Sequence, residues 1–422
     1  MKILFISPSA GDTYYCGNCF RDALQAQALQ QAGHEVCVMP LYLPMKYASE
    51  GVPVFFPATS FFIEQAAFRK KGMPAWLRKA TSAAPLLRMA SSLSGTTSSA
   101  GMEGMTLSMI GGGDGAFRRN VEELMAWIRD DGLPDVMHLS STLLLGIARP
   151  IREELGVPVV CSLQDEEVWL DGLEGPYSQK AWDLIRENAR YVNHFVTTSR
   201  YYREVVRKKL PEIENVSIVY PGVDLAKYQG AGVPGKPTIG FFYRMNRLDG
   251  LDLLAEAFVQ LKRKGSIPGL QLRIGGGFMG KEDRRFLNQV WSILEPFKAD
   301  VTVDEYAVNA HAPFYGKVTV LSVPLRFQEG VGLYVCEAFA AGVPVVEPET
   351  GSFPEIVDGA GLLYNPSQAG ALAQALERML TDRELLSGCR RQAFHLAQER
   401  YNASRMADEL GIIYQTQFNN KV

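Results

Sequence analysis

The chain has 422 residues, too many for one ordinary hydrophobic core, and this length favours two domains. With 47% apolar and 21% charged residues it has a globular composition, and a net charge of −3 gives no electrostatic reason for a nucleic-acid partner. Six scattered cysteines are not a secreted disulfide framework, the apolar start is too short for a signal peptide, and no run reaches the roughly 18 apolar residues of a membrane span; a reducing cytoplasm is the expected setting.

Residues 2–8 form a buried-strand run, 9–18 a Gly/Tyr-containing loop, and 19–32 a helical stripe through Leu24, Ala28 and Leu29 that Gly33 stops. A second strand is predicted at 36–43. Alternation of this kind implies a parallel sheet with right-handed crossovers, and it recurs as strand 135–139, helix 143–155, strand 157–163, helix 178–189 and strand 194–198. Residues 61–115 interrupt it. Their first half is basic and aromatic and broken by Pro74 and Pro85. The second half, 91–115, is rich in Ser, Gly and Thr and predicts a mobile loop.

Tyr220-Pro-Gly-Val-Asp224 and the Gly-rich stretch to Gly235 read as a linker. The pattern then restarts with strand 238–243, helix 251–264, strand 270–274, helix 282–294, strand 318–323, strand 343–347 and helix 371–380, closed by a helical pattern at 399–417. The predicted organisation is a first domain at 1–220 with an excursion at about 61–115, a linker at 221–236, a second domain at 237–398, and a final helix at 399–422 returning to the first. Two such halves are doubly wound α/β domains, with ligands at the carboxyl ends of the strands.

One block carries chemistry. In Arg326-Phe-Gln-Glu-Gly-Val-Gly-Leu-Tyr-Val-Cys-Glu337-Ala-Phe-Ala-Ala-Gly-Val-Pro-Val-Val346, Glu329 and Glu337 stand eight positions apart around a Gly-rich loop that opens a short helix. Backbone N–H groups at a helix start, with the positive end of its dipole, suit a phosphate, and a carboxylate suits a vicinal diol. Together they suggest a nucleotide-sugar pocket.

Taken in order, Gly17, Gly33-His-Glu-Val36, Asp135-Val-Met-His138, Tyr220-Pro-Gly-Val-Asp224, Arg244, Gly275, Glu329…Glu337, Gly342-Val-Pro-Val-Val346 and Pro354-Glu-Ile-Val357 resemble the retaining glycosyltransferase family 4 over essentially the whole chain. The resemblance implies a GT-B fold, two Rossmann-like doubly wound parallel-sheet domains facing each other across a cleft. It implies transfer of a sugar from a nucleoside-diphosphate donor to a glycan, lipid or small-molecule acceptor, with retention and without a metal or other cofactor. Glu337 then resembles the ribose-binding carboxylate and Glu329 the residue facing the donor sugar. Gly332, Leu333, Tyr334 and Gly17 resemble the diphosphate cradle, with Gly275 also on the donor side. Arg244 resembles the diphosphate-binding arginine, whose planar fork suits phosphate oxygens.

Two positions depart from that pattern. Asp249 stands where the family usually has a lysine, with Arg247 two residues earlier as a substitute charge. Gln164 stands where a histidine precedes Asp165, and an amide cannot titrate near neutral pH. Both departures favour an alternative reading, a nucleotide-sugar-binding protein with weak or no transfer. A dinucleotide oxidoreductase fits less well, because no Gly-x-Gly-x-x-Gly follows the first strand. His138 and Asp165 are candidates near the acceptor. Cys16-Gly-Asn-Cys19 reads as packing in the phosphate-facing loop rather than as a redox or metal pair. The basic, aromatic residues 61–88 admit peripheral contact with the inner face of a membrane.

Overall fold

The computed structural model describes residues 1–8, 17–40, 102–112, 118–228, 234–278, 280–304, 312–330 and 332–420. The chain divides into two compact units. One comprises the first strand, Asn18–Val219 and Ala407–Val422; the other is built on Tyr220–Met406.

The first unit holds strands β1 (Lys2–Ser7), β2 (Glu35–Pro40), β3 (Val136–Leu139), β4 (Val159–Leu163), β5 (His194–Thr197) and β6 (Val216–Ile218). They pair in the order β2-β1-β3-β4-β5-β6, every pair parallel. Helices cover such sheets on both faces, so β4 reads Val-Val-Cys-Ser-Leu and is buried throughout. From β1 the chain runs to β2 on one side and later to β3 on the other. The carboxyl ends of β1 and β3 therefore meet at a topological switch, the place where doubly wound sheets hold ligands.

Two expectations fail here for identifiable reasons. Within the segment read as a mobile loop, Glu103–Gly111 is a helix. Met109 and Ile110 are buried in the core, and Asn188 donates to the Ile110 carbonyl at 2.8 Å. Gly146 lets this helix approach, since a Cβ there would lie 2.2 Å from the Met109 carbonyl oxygen. The Ser/Gly composition hid a buried face. The single helix predicted over 143–155 is instead a 3-10 turn Thr142–Ile147, a short α segment Ala148–Pro150 and a π turn Ile151–Leu155. Pro150, without an N–H, sits where the regular ladder gives way.

The second unit repeats the plan with β7 (Thr238–Arg244), β8 (Gln271–Gly277), β9 (Val301–Val303), β10 (Val320–Leu321), β11 (Val345–Pro348) and β12 (Gly361–Tyr364). Their order is β12-β11-β10-β7-β8-β9, again all parallel, and the switch lies between β7 and β10. Helix Leu251–Lys264 starts after Gly250, whose φ of 76° and contact with the Pro324 carbonyl leave no room for a Cβ. The helix predicted over 399–417 starts at Ala403 and follows a separate helix Arg383–Glu399; between them Val223 bridges to Asn402, and the Asn402 side chain accepts from the Arg405 N–H. Residues from Ala407 onward belong to the first unit.

Candidate functional site

In the second unit the site residues gather at the β7–β10 switch. Arg244 ends β7 and pairs with Asp283 at 3.3 Å. After β10, helix Leu333–Ala340 opens at Gly332, which takes φ 62°, and its first bond runs from the Val335 N–H to the Gly332 carbonyl at 2.9 Å. The N–H groups of Leu333 and Tyr334 precede that bond and stand at the positive end of the helix. Glu329 is buried just before this turn and accepts from the Tyr243 hydroxyl at 3.3 Å. Gly351 pins the segment, since its φ is 60° and a Cβ would meet the Glu329 backbone at 2.6 Å.

Glu337 lies in the middle of the helix with no exposed surface. The Tyr228 hydroxyl donates to Oε1 at 2.7 Å and the Tyr315 hydroxyl to Oε2 at 2.8 Å. Both partners escaped the sequence reading, because tyrosines 109 and 22 positions away carry no local signal. A carboxylate with two donors in place keeps further lone pairs for a diol.

Asp249 is 3% exposed, its N–H is held by the Asn246 side chain at 3.0 Å, and its Oδ2 makes no hydrogen bond. Burial, with help from Glu329 and Asp283 and against the pull of Arg244, pushes its carboxyl well above the usual range. The group is therefore held toward the neutral acid, a hydrogen-bond donor. Glu347, at β11, is also fully buried; it accepts from the Val323 N–H at 3.2 Å, and burial pushes it well up.

The remaining donor-side candidates lie differently. Arg247 is exposed, and among the described residues its side chain makes no ion pair. A Cβ on Gly275 would fall 2.6 Å from the Phe242 ring and 3.0 Å from Phe314, which makes it a packing glycine between β7 and β8. A separate cavity of about 650 Å³ lies between helices Leu251–Lys264 and Ala371–Thr381. Phe327, Tyr364 and Leu372 line it; Arg244, Glu329 and Glu337 do not.

In the first unit Gln164 follows β4. Its amide donates to Asp22 Oδ1 at 3.2 Å and to the Ser140 carbonyl, and its N–H donates to Glu166 at 2.6 Å. Glu166 also receives the Thr142 N–H at 3.0 Å and the Ser141 hydroxyl at 3.2 Å, tying the β3 and β4 ends together. Asp165 takes a left-handed backbone, φ 53°, rare for a residue with a side chain. Gly17 opens helix Gly17–Gln31.

Asp22 was not a sequence candidate. It accepts from the Ser7 hydroxyl at 2.8 Å and from Gln164, and Arg21 lies 3.8 Å away. Burial pushes its carboxyl up to about 6, although the Arg21 charge pulls it down.

His138 is enclosed within the first unit. It is fully buried in β3, stacks on Phe5 with ring centres 4.4 Å apart, and bonds Tyr414 through Nδ1 at 2.5 Å and Ser162 through Nε2 at 2.8 Å. Burial, with the Arg21 charge, lowers it to about 3, so it is neutral. A ring with both nitrogens engaged inside a sheet is a structural member. Cys16, the Cys19 side chain and residues 61–88 lie outside the described residues. Among the described residues no cluster of three or more metal-ligating side chains occurs, and no helix is long and apolar enough to cross a membrane.

Two all-parallel α/β units of six strands each, with site residues at the switch points, define a GT-B fold. Residues 236–382 match the glycosyl transferases group 1 and residues 111–227 match Glycosyltransferase Family 4. The chain belongs to this glycosyltransferase family. It is 23% identical over 248 residues to the putative glycosyltransferase YtcC of Bacillus subtilis, covering 53% of this chain and 60% of that one. It is 27% identical over 222 residues to the D-inositol 3-phosphate glycosyltransferase of Nocardia farcinica, covering 48% and 47%. These matches span about half the length of the relatives. Among solved structures, sucrose-phosphate synthase from Thermosynechococcus elongatus superposes with a TM-score of 0.69 at 17% identity over all of both chains. Anabaena Alr3699/HepE in complex with UDP and glucose superposes with a TM-score of 0.71 at 15% identity, over 99% of this chain and 100% of that one.

Proposed function

We propose that this chain is a retaining, metal-independent transferase that moves a sugar from a nucleoside-diphosphate donor to a glycan, lipid or small-molecule acceptor. One observation carries the reading. At a single sheet switch, Arg244, the helix start at Gly332–Tyr334 and two buried carboxylates, Glu329 and Glu337, stand together. In this reading Arg244 and the helix N–H groups stabilise the departing diphosphate, Glu337 holds the ribose, and Glu329 faces the sugar. The transition state has oxocarbenium character, and Gln164 Oε1, not engaged in any hydrogen bond among the described residues, accepts from a sugar hydroxyl.

Thermal shift against UDP-, GDP- and ADP-sugars selects the donor. Turnover with that donor, in EDTA, with the product anomer read by NMR, tests the rest. An inverted product or dependence on metal would overturn those parts. The second reading, donor binding without transfer, is favoured by the buried Asp249 where a lysine is usual. Donor-induced stabilisation with no turnover across an acceptor panel would select it. Arg244→Ala should abolish most donor response under either reading.

A further inference from the structure

Arg21 lies in the second turn of helix Gly17–Gln31 with 1% of its surface exposed, and none of its three guanidinium nitrogens makes a hydrogen bond among the described residues. Among the described residues its ion-pair partner is Asp22, whose Oδ1 is 3.8 Å away, beyond hydrogen-bond reach, and whose oxygens already take Ser7 and Gln164. A guanidinium offers five donors in a fixed fork, and native structures very rarely bury one with all of them idle unless an ion or ligand belongs there.

One hydroxyl at the same edge is in the same condition. Thr142 Oγ1, just after β3, is buried without a hydrogen-bond partner among the described residues, and the neighbouring Ser140 hydroxyl faces Asp22. The Gln164 amide links Asp22, beside Arg21, to the Ser140 carbonyl, and the Arg21 charge is felt by His138 in β3. The orphaned groups therefore share the β1–β3 switch of the first unit, where doubly wound sheets hold ligands.

We infer that Arg21 is the anchor of an anion site in the first unit, taking a phosphate or carboxylate group of a ligand, with the Ser140 and Thr142 hydroxyls beside it. The fork of Arg21 matches such a group bidentately. Asp22 does not cancel the site, because its raised carboxyl takes up a proton when a second anion arrives. As far as the anion is assigned to a substrate, the inference rests on the transfer reading above; the binding itself does not.

Inorganic phosphate is the probe, titrated into the full chain without any nucleotide and read by thermal shift and calorimetry. Phosphate should stabilise the wild type, and Arg21→Gln should weaken its binding at least about tenfold. No response in the wild type, or an undiminished one in Arg21→Gln, would overturn the site. Should Arg21→Gln fail to fold, Arg21→Lys carries the test. An ammonium cannot form the fork, so several-fold weaker binding supports the site and equal binding refutes it.

A sugar monophosphate and a nucleoside diphosphate, titrated separately, assign the source. Loss of the first alone in Arg21→Gln gives the anion to the acceptor, and loss of the second gives it to the donor. A chain that transfers nothing yet binds phosphate through Arg21 refutes the transfer reading and leaves the site standing.

Discussion

Tyr315 and Glu337 are joined by a hydroxyl-to-carboxylate bond of 2.8 Å that closes inside the core of the second unit. With Tyr228 on the other oxygen, the carboxylate is oriented before any ligand arrives. Glu337→Gln replaces one acceptor by an NH2 that faces a tyrosine donor, leaving a buried donor unsatisfied at a cost of roughly 1–3 kcal/mol. The variant should melt lower and bind nucleoside diphosphate more weakly. Calorimetry showing unchanged nucleotide affinity would remove the ribose role from Glu337.

Asp249 gives a pH signature. Its carboxyl is raised in the folded state, so its neutral form favours folding at low pH, and that contribution is lost as pH rises through the raised titration. Asp249→Asn keeps the shape without the charge. The variant should match the wild type in acid and unfold at higher urea on the alkaline side. Parallel pH profiles for the two chains would place the Asp249 titration at its ordinary value.

Asp22 predicts a similar effect in a lower window. A carboxyl raised from 3.8 to about 6 loses roughly 3 kcal/mol of relative stability between about pH 4 and pH 6. Urea unfolding of the wild type minus that of Asp22→Asn should trace this loss, because other carboxylates cancel in the difference. A flat difference would place the Asp22 titration at its ordinary value.

Gly275→Ala separates packing from donor binding. The added methyl meets Phe242 and Phe314, so the chain should lose roughly 1–3 kcal/mol while the folded fraction keeps its donor affinity. A specific loss of donor binding at unchanged stability would return Gly275 to the pocket.

The α/β alternation of both halves was legible because parallel strands are buried on two faces and read as continuous apolar runs. Helix Leu251–Lys264 was legible to the residue, since its boundaries are marked by glycines at Gly250 and Gly265. The Glu329–Glu337 block was legible because its spacing is local. Helix Glu103–Gly111 was not, since its burial depends on partners at Gly146 and Asn188. Tyr228, Tyr315, Asp22 and Arg21 were not either. Their chemistry arises where distant segments meet, and no periodicity announces a polar residue on a buried helix face. His138 misled for the converse reason: a histidine at a strand end looks available until Tyr414 is found on its ring nitrogen.

That Tyr414 contact ties the last helix of the chain to the first sheet. Tyr220–Met406 is one unbroken stretch, whereas the first unit needs both the opening strands and residues beyond Ala407. A hydrogen bond inside the first sheet is thus completed by a residue 276 positions further along, so the first unit cannot close on residues before Ala407 alone.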